Sequence, residues 1–126
     1  MEILLVSLDG NLFLETEKIV GNRGNVIKCS NIQLEDTLNK ISIAFSIIDF
    51  DKSQMKKGAF HAIIQIKSKQ NIPILVLMEE ENAGDVLAVL SIGATEYFVK
   101  STKERYEKKI MEMFQWNRYH KWIDKK

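Results

Sequence analysis

The chain has 126 residues, 45% of them apolar and 28% charged, and its formal net charge is +1. That length makes one domain able to bury a real core without staples, and the composition is ordinary for a soluble globular protein. A near-neutral balance gives no whole-protein field toward nucleic acid or an anionic membrane, so neither is expected as a partner.

Apolar runs of strand length alternate with helical patterns from one end to the other. The unbroken Ile3-Leu4-Leu5-Val6 run predicts a first strand over 2–8, buried on both faces. It is too short for a signal peptide and lacks the basic flank, and no later stretch could span a bilayer, so the cytoplasm is the expected compartment. A helix follows over 11–20, with Leu12, Phe13, Glu17 and Val20 at mixed spacing, and Gly21-Asn22-Arg23-Gly24 stops it. A short second strand over 25–30 holds Cys29, the only cysteine. No intramolecular disulfide is possible, and the thiol reads as a small core residue rather than a nucleophile.

A loosely periodic helix over 32–41 carries Ile32, Leu38 and Ile41, and a third strand runs over 43–49. After a polar, lysine-rich loop over 51–58, a helix over 59–69 places Phe60, Ile63, Ile64 and Lys67 toward one side. The clearest strand spans 72–78. A helix over 82–92 turns Val86, Val89 and Leu90 inward and stops at Gly93. The fifth strand covers 95–99, and Thr102 is placed to cap a last helix reaching about 123.

Five strands alternating with five helices across short loops imply a doubly wound α/β domain, a five-stranded parallel sheet with helices on both faces. Residues 1–126 form this single domain, with an extension of the last helix at about 115–126. In such sheets chemistry gathers at the carboxyl ends of the strands, beside a topological switch point. Here those ends carry Ser7 to Asp9, Asp49 to Asp51, Met78 to Glu80, and Lys100.

Two segments carry a resemblance. Ser46-Ile47-Ile48-Asp49-Phe50 is a strand running into an acid, and Gly93-Ala94-Thr95-Glu96-Tyr97-Phe98-Val99-Lys100 is a Gly-Ala turn into a strand with an aromatic and, three residues on, a lysine. This order resembles a CheY-like response-regulator receiver domain of the flavodoxin-like topology. The resemblance implies that Asp49 stands at the phosphoacceptor position, with Asp51 as runner-up. Asp49 is preferred because Asp51 would force it into the middle of a buried strand. It also implies that Lys100 pairs with this aspartate and that Tyr97 is the switch aromatic.

The departures from the family pattern matter as much. Receivers end the first strand in a pair of acids that hold Mg²⁺, whereas this chain has Ser7 and Leu8 there, and Asp9 one place later. Met78, twenty-two residues before Lys100, stands where the family has a Thr or Ser hydroxyl, and a thioether cannot donate a hydrogen bond. Ser101 replaces the usual proline. Phosphoryl transfer rests on charge-neutralising groups around the equatorial oxygens, so this pocket of Asp9, Met78 and Lys100 reads as a degenerate or pseudo-receiver form with no metal and no cofactor. The alternative is an atypical working phosphoacceptor, in which Asp9 and Asp49 hold Mg²⁺. A flavodoxin-like ligand binder, sharing only topology, is a third reading and requires an apolar cleft at the strand ends.

On the last helix Tyr106, Ile110, Met113 and Asn117 share one face, and Trp116, Tyr119, Trp122 and Ile123 form a second stripe. Trp116, Tyr119 and Trp122 read as interface anchors for a protein partner or for dimer formation, through the face made by the fourth helix, fifth strand and fifth helix. The resemblance also implies a histidine kinase as partner. Arg118, Lys121, Lys125 and Lys126 against Asp124 complement the helix dipole rather than form a phosphate-binding patch. His61 and His120 are isolated, no phosphate loop, zinc cluster or nucleophile elbow is present, and the chain is not expected to be an enzyme.

Overall fold

A computed structural model describes residues 1–51 and 55–124, without the side chains of residues 55–57, 120, 121, 123 and 124. Among the described residues the elements run β1 Glu2–Val6, α1 Gly10–Val20, a 3-10 turn Gly21–Arg23, β2 Asn25–Cys29, α2 Leu34–Lys40 and β3 Phe45–Asp49. They continue with α3 Met55–Lys69, β4 Ile74–Met78, α4 Ala83–Ile92, β5 Glu96–Val99 and α5 Lys103–Asp124. The strands form one parallel sheet in the order β2-β1-β3-β4-β5. The order reverses between β1 and β3, which puts the switch point beside the carboxyl ends of those two strands.

Strand side chains alternate between faces, and the two faces make two cores. Ile3, Leu5, Phe45, Ile47, Leu75 and Leu77 pack with Leu12 and Ile19 of α1 and with Tyr106, Ile110, Met113 and Phe114 of α5. Leu4, Val6, Ile48, Ile74, Val76 and Met78 pack with α2, α3 and α4 through Leu34, Leu38, Ala59, Ala62, Ile63, Ile66 and Val89. Burial on both faces explains why β1, β3 and β4 read as unbroken apolar runs. Cys29 lies in the second core.

Polar side chains tie the layers at three points. Thr16 Oγ1 donates to Leu12 O at 2.7 Å, and Tyr106 Oη lies 2.8 Å from the same hydroxyl, joining α1 to α5. Asn117 Nδ2 donates to Ala44 O at 2.7 Å, which anchors α5 to the start of β3. Gln70 Nε2 donates to Leu38 O and Ile41 O while its Oε1 accepts from Ile43 N, so one side chain satisfies the turn between α2 and β3.

Several expectations are corrected. Helix α3 begins at Met55, inside the segment expected as a loop over 51–58, and residues 52–54 of that segment lie outside the described residues. Its buried stripe is Ala59, Ala62, Ile63 and Ile66, whereas Ile64 is 56% exposed and Lys67 is exposed. At about 100° per residue Ile64 falls roughly 150° from the centre of that stripe, so it faces outward. Leu90 of α4 is likewise more exposed than expected, with Val89 buried beside it. Ile32 precedes α2 and faces solvent, and Leu34 takes its expected place in the core. Strand β1 ends at Val6 rather than at residue 8.

Gly93 has φ +129°, receives Lys67 against its open side, and gives its N–H to the last carbonyls of α4. Gly24 is extended, but a Cβ there would sit 2.5 Å from Met1 O, a backbone atom that cannot swing away. Gly24→Ala is therefore expected to lower stability by about 1–3 kcal/mol in urea unfolding. Gly10→Ala, at a helix position with nothing within 4 Å of the added carbon, is expected to be neutral or slightly stabilising.

Candidate functional site at the strand ends

Asp49 is the last residue of β3 and is fully buried. Its Oδ1 accepts from Lys100 Nζ at 2.9 Å and its Oδ2 from Ser7 Oγ at 2.8 Å. Lys100 follows β5 directly, and its amide donates to Met78 O at 2.8 Å, which fixes where its side chain starts. The lysine stem is partly covered, with 28% of the side chain exposed. Ser7, 1% exposed, also accepts from Asp9 N at 3.0 Å. A chain of donors thus runs from the Asp9 amide through the Ser7 hydroxyl to the Asp49 carboxylate.

Asp9 turns its carboxylate the other way. Its Oδ1 accepts from Asn11 N at 2.9 Å and Leu12 N at 3.3 Å, making it the N-cap of α1. Leu8 is 57% exposed and contributes no ligand atom. Met78 is 1% exposed, with its side chain in the α2–α3–α4 core. Asp51 is exposed and its Oδ2 accepts from Glu79 N at 2.7 Å, bridging the loops after β3 and β4. Tyr97 packs partly against the same core, and its hydroxyl donates to Glu81 Oε1 at 2.6 Å. That bond, with the nearby carboxylate charge, holds the Tyr97 phenol above its ordinary pKa.

A Mg²⁺ ion needs about six oxygen ligands at short range, with carboxylates preferred. The residues here do not fit it. Both Asp49 oxygens are engaged, the Ser7 hydroxyl is committed in both directions, and Asp9 serves the helix. Among the described residues no group of three or more His, Cys, Asp or Glu is placed to hold a metal ion.

Two clefts among the described residues at these strand ends are small. One of about 100 Å³ is lined by Leu12, Leu77, Phe98, Lys100, Thr102 and Tyr106 among others, and one of about 160 Å³ lies among Asp51, Glu79, Glu80 and Asp85. Both fall below the roughly 300 Å³ at which ligand pockets begin.

These features match a known architecture. Among solved structures the chain superposes on a signal receiver domain of a two-component histidine kinase from Clostridium thermocellum, with a TM-score of 0.77. The two share 19% identity over 90% of this chain and 96% of that one. The chain has the receiver fold. A response regulator from Thermotoga maritima gives a TM-score of 0.77 at 15% identity, covering 90% of this chain and 97% of that one. NtrX from Brucella abortus gives 0.82 at 12% identity, covering 98% of this chain and 29% of its own. No family model matches the sequence, and no curated protein matches it.

Away from this pocket, Trp116, Tyr119 and Trp122 are 37%, 49% and 54% exposed; Trp116 meets Tyr119 edge to face with ring centroids 5.8 Å apart, and Tyr119 stacks on Trp122 at 6.2 Å. Trp116 Nε1 donates to Glu96 Oε2 at 2.9 Å, and Lys109 bridges Glu96 and Glu112. This carboxylate anchor was not legible in the aromatic spacing. The side chains of His120, Lys121, Ile123 and Asp124, and residues 125 and 126, lie outside the described residues. His61 is exposed.

The Asp49–Lys100 pair is asymmetric, and that predicts unequal costs. Removing the lysine charge leaves a buried carboxylate without a counter-ion, so Lys100→Met is expected to cost about 3–5 kcal/mol in chemical denaturation. In Asp49→Asn the amide oxygen can still accept one of the two bonds, and its NH2 meets the other partner only if that partner turns to accept. The partly exposed Lys100 head can reach water, so the cost is expected to be smaller, about 1–2 kcal/mol.

Burial raises the Cys29 thiol from 9.0 to about 11. Between those values the unfolded chain has lost a proton that the folded one keeps, so stability falls as pH rises through this window. Denaturant midpoints are expected to drop above about pH 9 less steeply in Cys29→Ala, and the native thiol to resist a disulfide reagent at about pH 8.

Proposed function

We propose that the chain is a receiver-like signalling domain of a two-component phosphorelay, acting as a protein-interaction module whose Mg²⁺-dependent aspartyl phosphorylation is impaired. The observation that carries this reading is the double engagement of Asp49 by Ser7 and Lys100 at 2.8 and 2.9 Å, with no second described carboxylate turned into the pocket. Attack by Asp49 on a phosphoryl donor needs a free carboxylate oxygen and positive charge on the equatorial oxygens. Lys100 supplies one charge, Met78 supplies no donor, and Asp9 is spent on its helix.

The interaction surface in this reading is the face of α4, β5 and α5, with Trp116, Tyr119 and Trp122 as anchors for a protein partner or a second copy. Exposed Leu87 on α4 is consistent with it. No described helix is long and apolar enough to cross a membrane. A cytoplasmic protein without cofactor, nucleic acid or enzymatic activity completes the proposal, with a histidine kinase as a candidate partner.

The retained Asp49–Lys100 contact favours a second reading, an atypical phosphoacceptor in which Asp9 leaves its cap to join Asp49 on Mg²⁺. Acetyl phosphate with Mg²⁺, followed by intact-mass measurement, separates the two. The first reading predicts no added phosphoryl group in the wild type. It also predicts gain of one in the triple variant Ser7→Asp, Leu8→Asp, Met78→Thr, abolished by Asp49→Ala. A wild type that accepts phosphate and loses it with Asp49→Ala establishes the second.

A further inference from the structure

The opposite edge of the sheet carries an arrangement that neither reading uses. Met1, Arg23, Met111, Phe114, Gln115 and Arg118 line a cleft of about 450 Å³ beside the amino ends of β1 and β2. This lies inside the range of roughly 300–1,000 Å³ typical of small-molecule pockets. Arg23 comes from the 3-10 turn after α1, and Arg118 from the far part of α5. Gly24 allows the first of these approaches, because its missing Cβ lets the turn close on Met1 O, where Asn25 N donates at 2.9 Å.

The charge of the cleft is one-sided. Among the described residues its lining holds two guanidinium groups and no carboxylate, and both arginines are exposed. Neither arginine is bonded to a described carboxylate, whereas Lys40, Lys100 and Lys109 are each paired with one. Below the charges, Met111 is partly buried and Phe114 is 6% exposed, which gives the cleft an apolar wall.

Against the expectation that Arg118 serves only the helix dipole, we propose that this cleft binds a small organic phosphate monoester, its phosphate between Arg23 and Arg118 and its body against Met111 and Phe114. A monoester carries close to two negative charges at neutral pH, which two guanidinium groups neutralise. A carboxylate would leave one of them unmatched. The rigid guanidinium fork suits phosphate oxygens in bidentate geometry. Bare phosphate would leave most of the volume and the apolar wall uncovered. The proposal is independent of the Asp49 reading, and either can fail alone.

The test is a backbone-amide NMR titration of the full chain with adenosine monophosphate, with inorganic phosphate and adenosine as separate arms. Adenosine monophosphate is expected to give saturable shifts at Arg23, Met111, Gln115 and Arg118, and to bind more tightly than either fragment. Arg23→Gln and Arg118→Gln should each weaken it about tenfold, equal to about 1.4 kcal/mol. Lys108→Gln, at an exposed position elsewhere on α5, should leave it unchanged. Both arginines are exposed, so unchanged shifts outside the cleft will show that the variants remain folded. An unsaturable response overturns the site. Equal binding of inorganic phosphate overturns the organic body, equal binding of adenosine overturns the phosphate, and an equal loss in Lys108→Gln reduces the effect to general charge.

Discussion

The Asp49 carboxylate is withdrawn completely from water, and it is kept there by the Lys100 ammonium on one oxygen and the Ser7 hydroxyl on the other. An ion held that deep costs several kcal/mol to desolvate, and it persists only when its neighbours return most of that cost. The three partners come from the ends of β1, β3 and β5, far apart in sequence. A parallel sheet with its switch point between β1 and β3 is what delivers them to one place. The pocket thus depends on strand order more than on any single loop.

Much of the surrounding geometry follows from holding that carboxylate. With its proton given to Asp49, Ser7 can accept from the Asp9 amide, and this sets the path by which the Asp9 side chain caps α1. On the other side, Lys100 reaches Asp49 from a backbone whose amide is tied to Met78 O, and the Met78 side chain fills the core. Asp51 and Tyr97 each bind the loop after β4, through Glu79 and Glu81. The loops around the pocket therefore support one another in a single arrangement whose committed oxygen atoms leave no ready place for a divalent ion. Inserting one would require several of these bonds to be given up together.

The sequence made the architecture legible because burial on both faces leaves unbroken apolar strands, and Gly21, Gly24 and Gly93 punctuate the elements between them. The Asp49–Lys100 pairing was also legible, from two strand ends and the motif leading into Lys100. Helix faces were harder. Ile63 and Ile64 have the same chemistry, and only the phase of the whole stripe tells which is inside. The start of α3 was hidden because Lys56-Lys57-Gly58 reads as a loop, although a helix can begin on polar residues once its later turns are packed. Two side chains did work that periodicity does not encode. Gln70 satisfies three backbone groups at one turn, and Asp9 caps α1. For Asp9 a signal existed, since an acid directly before a helical segment is a preferred N-cap.

The most direct test of the central claim is an amide and side-chain NMR titration with Mg²⁺ followed by beryllofluoride, which mimics the aspartyl phosphoryl group. A carboxylate already shared between Ser7 and Lys100 predicts shifts that stay in place at Ser7, Asp49, Met78, Tyr97 and the Lys100 ammonium. Saturable changes concentrated at those residues and lost in Asp49→Ala would contradict it, and would mean that the pocket opens to a divalent ion after all.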